Sequence, residues 1–163
     1  MFNKVGVIRQ LWRDNLDEII FSIGVLGALT IISFVGYLDY YGLWGSLILL
    51  VVTSAHYSYT FFQVDNAYQK FFFFLLLMPS IIFYFALIYK AFGIIDTATG
   101  GTIKNDWFEA TYFSVVTWST LGYGDYRPTN EVKRWVMAEV FIGYIYMGLL
   151  IGKVLFLLQQ ARK

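Results

Sequence analysis

The hydrophobic pattern divides the chain into long apolar runs that are separated by short polar segments. A helix rises about 1.5 Å per residue, so about 20 apolar residues cross the roughly 30 Å hydrocarbon core of a bilayer. Runs of this length lie at Ile19–Leu38, Tyr40–Phe62, Phe71–Ile95 and Trp135–Leu158. The pattern therefore predicts four membrane-spanning helices, which places both ends of the chain on the same side of the membrane.

The segment between the third and fourth runs is too short and too polar to cross a membrane. A loop rich in Gly and Thr, from Asp96 to Asn105, is followed by an apolar run that begins at Trp107. Asp106 before this run and Glu109 three residues later form the capping-box pattern that starts a helix. We predict a re-entrant helix over residues 106–119. Irregular backbone at membrane depth must be enclosed by protein or line water, so the chain after this helix is expected to face a pore or a pocket.

Apolar residues also recur at helical spacing before the first run. Phe2, Val5, Ile8, Trp12 and Leu16 fall on one face of a helix, which is typical of a helix that lies in the membrane interface. No small-residue cleavage pattern follows the first run, so we expect it to be retained. The expected organisation is an interfacial helix (1–17), a peripheral pair of membrane helices (18–65) and a third region (66–163) with an outer helix (71–95), the re-entrant helix and an inner helix (132–160).

Composition supports a membrane environment and excludes several kinds of chemistry. Hydrophobic residues make up 58% of the chain and aromatic residues 21%, whereas soluble domains are usually about 45–50% apolar. The formal net charge of +1 predicts no binding of nucleic acid. The chain has no cysteine and a single histidine, His56, which excludes disulfides and thiolate or histidine-cluster metal sites. Because no nucleophile and base or paired carboxylates gather in a plausible pocket, we expect neither enzyme activity nor a cofactor.

The distribution of Lys and Arg bears on orientation. With four spans, seven of these residues fall on the side of the termini and five on the opposite side. The more positive side of a membrane protein is usually cytoplasmic. We therefore expect a multi-pass protein of a cell membrane, either plasma or bacterial inner membrane, that contacts lipid and has both termini in the cytoplasm.

The residues after the re-entrant helix combine alternating glycines with potential oxygen ligands. The run from Thr120 to Gly124 reads TLGYG. Successive carbonyls that point the same way need backbone conformations that most residues resist, which explains glycine at positions 122 and 124. Carbonyls arranged in this way replace the hydration shell of K⁺. We therefore predict a row of backbone carbonyl ligands for a cation along this run, with Asp125 at the outer mouth.

Four residues are candidates for bracing this loop. Tyr123 is expected to point away from the ion path, toward Tyr112 and Trp118 of the re-entrant helix. Thr117, in the last turn of that helix, is also predicted to brace the loop. Glu139 lies in the outer half of the fourth run, where an acid inside a membrane is by default a functional hypothesis. For Glu139 we prefer a bracing hydrogen bond behind the loop over direct contact with an ion.

The run from Thr117 to Asp125, TWSTLGYGD, resembles the TxxTxGYGD signature of tetrameric K⁺ channels. The likeness extends back through residues 108–116 and forward through Arg127, Pro128 and the last apolar run, so it covers roughly the last 60 residues. The resemblance implies that residues 120–124 are a selectivity filter, with K⁺ ligands at Thr120, Leu121, Gly122 and Tyr123. It further implies that the third and fourth runs are the outer and inner pore helices. It also implies an all-α membrane protein in which three further identical subunits complete a homotetramer that conducts K⁺ passively.

The first two runs depart from the better-known branches of that family. Neither run contains Lys or Arg, so voltage sensing by moving such charges is not expected. The short turn between them has no room for a second pore loop, which two-pore-domain relatives carry. We interpret these two runs as a peripheral scaffold around the pore.

Two other functions and several residue roles stay open. The chain is alternatively a weakly selective cation channel, if Leu121 or altered bracing loosens the ion sites, or a non-conducting accessory subunit that retains the fold. Gly143 and Gly148 are candidate gating hinges, although glycine also occurs where membrane helices pack closely. We favour Gly143, whose distance beyond the loop resembles that in the channel family. We expect Lys153 to snorkel to lipid headgroups rather than line the pore. His56 is either a pH sensor or, as we prefer, a neutral side chain that bonds to another helix.

Overall fold

The computed structural model describes residues 16–34, 37, 40–60 and 67–162. The interfacial helix expected over residues 1–17 lies outside this part except for Leu16 and Asp17, which belong to the first described helix. The helices are α1 (Leu16–Ser33), α2 (Tyr40–Thr60), α3 (Ala67–Phe92), α4 (Trp107–Trp118) and α5 (Lys133–Ala161). Three short strands lie around α4, namely β1 (Ile94–Asp96), β2 (Thr102–Ile103) and β3 (Tyr126–Pro128).

Three helices of the described part are long and apolar enough to cross a membrane. These segments are Leu16–Ser33, Lys70–Phe92 and Lys133–Gln159, in α1, α3 and α5. The chain is therefore a mostly helical membrane protein. Helix α2 has 21 residues, enough for roughly 31 Å, but its Ser, Thr, His and Tyr side chains make it less apolar than the other three.

Helices α1 and α2 form an antiparallel hairpin. Phe21 stacks on Tyr57 with ring centroids 4.5 Å apart, and Gly24, one turn later in α1, lies against Thr53, one turn earlier in α2. Since the partners run backward along α2 as α1 advances, the two helices have opposite directions. The close approach at Gly24 is possible because glycine lacks a side chain.

Gly24 tests how much this close packing contributes to stability. An added Cβ would lie 2.2 Å from Thr53 Cγ2 and 2.7 Å from Thr53 Cβ, and Thr53 is held in place by its bond to the Leu49 carbonyl. We expect Gly24→Ala to lower the free energy of unfolding by about 1–3 kcal/mol, as overpacking usually does. Thermal unfolding in detergent measures the change.

Gly45 provides a matched control in α2. A Cβ at Gly45 meets no atom within 4 Å, so Gly45→Ala should be neutral or slightly stabilising, because alanine favours a helix over glycine. Equal melting temperatures for the two variants would contradict the packing argument.

The remaining helices continue this alternation of direction. Helix α3 runs antiparallel to α2, since the Tyr84 hydroxyl lies 2.7 Å from Ser46 Oγ while the Tyr57 hydroxyl, farther along α2, donates to the earlier Lys70 carbonyl. Helix α5 runs antiparallel to α3, with Phe74 stacked on Tyr146. Four helices therefore lie side by side with alternating directions, and α4 packs between α3 and α5 at one end of them.

A small sheet at that end was not predicted for an all-α chain. Strand β1 is central and pairs antiparallel with β2 and with β3. Helix α3 ends at Phe92, before the expected Ile95, because Gly93 adopts φ +87° and turns the chain, after which Ile94 pairs with Ile103 and Pro128. The sheet therefore ties the segment before α4 to the segment after the candidate loop.

Candidate functional site

Helix α4 begins at an aspartate cap. Asp106 has extended backbone, and its carboxylate accepts hydrogen bonds from the amides of Phe108 (2.9 Å) and Glu109 (3.1 Å). The expected capping pattern is therefore formed on the Asp106 side. The Glu109 carboxylate lies close enough to the Tyr126 hydroxyl to raise the pKa of Tyr126 to about 12, which places the first turn of α4 beside strand β3.

Aromatic contacts fix α4 against α3. Trp107 stacks on Phe83 with ring centroids 5.5 Å apart, and the Lys90 ammonium lies 4.1 Å from the centre of the Trp107 ring. One and a half turns later, Phe113 meets Tyr89 edge to face at 4.9 Å. Such contacts add specific geometry to apolar burial, so the position and direction of α4 are set by α3.

The far end of α4 reaches the middle of α5. Trp118 is buried and lies edge to face with Tyr146 at 5.4 Å, and a Cβ on Gly143 would lie 3.3 Å from the Trp118 carbonyl oxygen. Gly143 is about ten residues into α5, roughly 15 Å from its start. The loop that follows Trp118 therefore begins about half-way along a membrane span.

The backbone of this loop alternates in handedness. Positive φ angles occur at Thr120 (+55°), Gly122 (+56°) and Gly124 (+82°), every second residue. Thr120 is notable because a β-branched residue rarely adopts this conformation, and such outliers cluster at functional sites. All residues from 119 to 125 are exposed in the single chain, including Leu121 at 59% and Tyr123 at 67%. The loop is thus an ordered, exposed strip of backbone of the kind that the alternating glycines predict.

The start of the loop continues from the helix by backbone bonds. Thr117 and Val116 contribute carbonyls that accept from the amides of Thr120 (3.0 Å) and Leu121 (3.1 Å). Thr117 therefore supports the loop through its backbone. Trp118 lies behind the loop and contacts Tyr146 and Gly143 of α5, while its packing against Tyr123 stays a prediction.

Asp125 is held at the outer end of the loop by two contacts. The Tyr112 hydroxyl donates to Asp125 Oδ2 at 2.6 Å, and Oδ1 accepts from the Tyr126 amide at 3.0 Å. The sequence assigned Tyr112 to bracing Tyr123, but within the chain its hydroxyl bonds to Asp125. The bond to the carboxylate raises the pKa of Tyr112 to about 12, because ionisation would bring two negative charges together.

The Tyr112 bond predicts a late tyrosine titration. A pKa that is raised in the folded state stabilises the fold at pH values below the ordinary tyrosine pKa of about 10, and this contribution is lost as pH rises through about 12. We expect Tyr112→Phe to remove one tyrosine from the late part of an ultraviolet phenolate titration. Asp125→Asn should instead move that tyrosine toward the ordinary range. If Tyr112→Phe instead removes a tyrosine from the early part of the phenolate titration, the bond between Tyr112 and Asp125 is absent in solution.

Thr97 is a loop contact that sequence reasoning missed. Its amide donates to the Asp125 carbonyl at 2.9 Å, and its hydroxyl lies 2.8 Å from the Gly124 carbonyl and 2.7 Å from that of Asp125. Asp96 shapes this turn by accepting from Thr99 and the Ala98 amide, which holds the pKa of Asp96 below its usual range. The only available signal was an Asp-x-x-Thr pattern in a loop, which is typical of many turns.

Glu139 forms the second polar connection behind the loop. Its side chain is fully buried, one carboxyl oxygen accepts from the Tyr89 hydroxyl at 2.5 Å, and the other lies 2.5 Å from Ser114 Oγ. Ser114 is also fully buried and lies 2.9 Å from the Ile82 carbonyl. Three helices therefore meet at this carboxyl group. The sequence pointed to Glu139 alone, because a serine and a tyrosine inside apolar runs are common.

The glycine and cation candidates differ in their surroundings. Gly143 packs against Trp118, whereas a Cβ at Gly148 would meet nothing within 4 Å. The Lys153 side chain is fully buried and its ammonium lies 5.1 Å from the centre of the Phe156 ring, so it does not extend to lipid headgroups in the single chain. His56 lies 3.8 Å from Asp17 of α1, which agrees with a contact between helices.

The described residues contain no cluster of three or more His, Cys, Asp or Glu side chains that could hold a metal ion. Backbone carbonyls are neutral oxygen donors of the kind that replace the hydration shell of a monovalent cation, and residues 119–125 are exposed in the single chain.

Comparison with known proteins points to the same part of the chain. A family model described as an ion channel matches residues 46–160. The chain is 35% identical over 74 residues, 42% of its length, to two-pore potassium channel 4 of Arabidopsis thaliana. It is 38% identical over 65 residues, 39% of its length, to two pore potassium channel a of Oryza sativa subsp. japonica. These matches cover 26% and 19% of the two relatives, so the chain spans about a quarter or less of their length. No solved structure matches significantly.

Proposed function

We propose a potassium-selective pore from one premise: the chain belongs to the ion channel family whose model matches residues 46–160. It is therefore a membrane channel protein rather than an enzyme. In our proposal K⁺ is the transported substrate and crosses passively, bound in turn by carbonyls of Thr120, Leu121, Gly122 and Tyr123. The observation that carries the proposal is the alternation of φ at residues 120, 122 and 124, in exposed backbone about half-way along a span.

Assembly of four identical chains would complete the filter. One chain supplies one strip of loop carbonyls, and its residues 119–125 are exposed. Exposed irregular backbone at membrane depth must be enclosed by protein or line water. Three further copies arranged around the strip satisfy this requirement and surround the ion with oxygens. In this arrangement α3 is the outer pore helix, α5 is the inner pore helix and Asp125 lies at the mouth.

We also propose that α2 crosses the membrane, which makes four spans in all. Support comes from its pairing, because α2 lies antiparallel to α1 and to α3 along its length. Its length of 21 residues matches the membrane thickness. Four spans place both termini on one side, which we assign to the cytoplasm of a cell with this channel in its plasma or inner membrane. The α1–α2 pair then serves as a peripheral scaffold.

Ion flux in liposomes tests the proposed function. Purified protein is reconstituted into K⁺-loaded vesicles, and K⁺ efflux is measured with Na⁺ and then Ba²⁺ added outside. A selective pore releases K⁺, excludes Na⁺ and is blocked by Ba²⁺. Comparable Na⁺ flux would instead identify a weakly selective cation channel. A chemically cross-linked tetramer without any flux would identify a non-conducting accessory subunit.

Gly148 is the better of the two hinge candidates, because Gly143 already has a packing role against Trp118. Alanine at position 148 adds no clash and restricts the backbone of α5. We expect Gly148→Ala to change the open probability severalfold in planar-bilayer recordings while leaving the single-channel conductance unchanged. An unaltered open probability would assign Gly148 to the helix surface alone.

A further inference from the structure

Ser114 of α4 lies within hydrogen-bonding distance of an oxygen on each neighbouring helix. Its Oγ is 2.9 Å from the Ile82 carbonyl of α3 and 2.5 Å from Glu139 Oε1 of α5. A hydroxyl carries one hydrogen, and a backbone carbonyl carries none. Each contact is a full two-centre hydrogen bond when Ser114 donates to Ile82 and the hydrogen between Ser114 and Glu139 belongs to the glutamic acid; otherwise the single hydroxyl hydrogen is shared between two acceptors.

The surroundings of Glu139 agree with a neutral acid. Within the described part of the chain, the groups that act on its carboxyl are the hydroxyls of Ser114 on α4 and Tyr89 on α3, and both are neutral. The side chain is fully buried, and a buried carboxylate without a cationic partner is costly. A protonated Glu139 uses every hydrogen in the group: Tyr89 donates to Oε2, Glu139 donates to Ser114, and Ser114 donates to Ile82.

We propose that Glu139 carries a proton at neutral pH, and that this proton makes Ser114 a positioning residue that ties the pore loop to both pore helices. Loss of the proton turns the Ser114 hydroxyl toward the new carboxylate. The bond to the Ile82 carbonyl is then lost, so α4 is held by α5 but released from α3 at this point. Because α4 leads directly into residues 119–125, the K⁺ sites lose part of their support at alkaline pH. The effect on flux rests on the proposed function, whereas the protonation state does not.

Glu139→Gln separates the proton from the shape of the side chain. The glutamine carbonyl can accept from Tyr89 while its amide donates to Ser114, so the chain of bonds is kept and cannot ionise. We expect the ratio of alkaline to neutral K⁺ flux to fall in the wild type as pH rises through the midpoint of Glu139, and to level off once this residue is fully ionised. The same ratio should stay flat in Glu139→Gln, whatever its neutral flux. Ser114→Ala removes the hydroxyl that links Glu139 to Ile82. It should therefore lower K⁺ flux at neutral pH and make the ratio of alkaline to neutral flux independent of pH.

Two controls exclude other titrating groups. Glu131→Gln changes an exposed carboxylate and should keep the alkaline fall of the wild type. Tyr112→Phe removes the hydroxyl at the outer mouth that titrates near pH 12. This variant should still show the alkaline fall in K⁺ flux that the wild type shows below that pH. An equal alkaline fall in Glu139→Gln and wild type would overturn the proposal.

Infrared difference spectroscopy tests the proton without any need for conduction. The wild-type protein at neutral pH should show the carbonyl stretch of a protonated carboxylic acid, and this band should be absent in Glu139→Gln and disappear from the wild type at alkaline pH. Absence of the band from the wild type at neutral pH would overturn the assignment. If the band is present in a protein that conducts no ion, the proposed function fails while the protonated Glu139 stands.

Discussion

Gly122→Ala should abolish selective K⁺ flux without unfolding the protein. Gly122 has φ +56°, and a Cβ there would meet nothing within 4 Å, so the cost is conformational rather than steric. A residue with a Cβ costs about 1–2 kcal/mol in this region, which sums to about 4–8 kcal/mol over the four copies of the proposed tetramer. We therefore expect K⁺ flux through liposomes to fall at least about 100-fold, since each 1.4 kcal/mol corresponds to a factor of about ten.

Gly100→Ala is the matched control for this loss. Gly100 also has a left-handed backbone, with φ +70°, and open space where a Cβ would be added, but it lies in the turn between β1 and β2. The local penalty per chain is therefore comparable, while the ion path is untouched. Near wild-type flux in Gly100→Ala together with the loss in Gly122→Ala would locate the effect in the filter. Equal loss in both variants would show that the flux reports general damage.

The resemblance to potassium channels, drawn from residues 117–125, is confirmed by the family match and by the potassium channel relatives. This motif could be recognised from the sequence because its physical requirement is local: alternating backbone handedness needs glycine at residues 122 and 124. The left-handed backbone conformation of Thr120 could not be predicted in the same way. Threonine is not selected by that conformation, and its strain depends on the surrounding fold.

The helices were predictable from apolar length, whereas the small sheet was not. Its strands contain two or three residues each, which is too few for a period-two pattern to be recognised. They pair only because α3 and α4 bring Ile94, Ile103 and Pro128 together. The small sheet that positions Thr97 against Gly124 therefore depends on long-range packing, and the local sequence does not predict it.

The bracing residues show the same division between local and long-range information. Asp106 was recognised as a cap because its bonds go to the next turn of its own helix. Tyr112 was predicted to brace Tyr123, but its bond to Asp125 could not be predicted, because that bond depends on where the loop turns after Gly124. Glu139 was identifiable as an unusual acid in an apolar run, but its partners lie 25 and 50 residues away and no spacing rule connects them.

Glu139→Ala should be the most destabilising single change in the described structure. It leaves the buried Tyr89 hydroxyl without its acceptor, at a cost of about 1–3 kcal/mol, and it opens a cavity where α3, α4 and α5 meet. Removing a buried side chain of this size usually adds about 2 kcal/mol or more. We therefore expect the free energy of unfolding to fall by about 3–5 kcal/mol per chain, seen as a lower midpoint of thermal unfolding in detergent.

Comparison with Glu139→Gln and Glu131→Ala shows whether this loss comes from the bonds or from charge. Glu139→Gln keeps the volume and can keep the bonds to Tyr89 and Ser114, so it should unfold close to the wild type. Glu131→Ala removes an exposed carboxylate and should shift the midpoint little, because surface charges contribute little to stability. If Glu139→Ala and Glu131→Ala have the same midpoint of thermal unfolding, the Glu139 carboxyl group does not join the three helices. A deep loss in Glu139→Ala that glutamine restores would make the hydrogen-bonded acid the main support behind the loop.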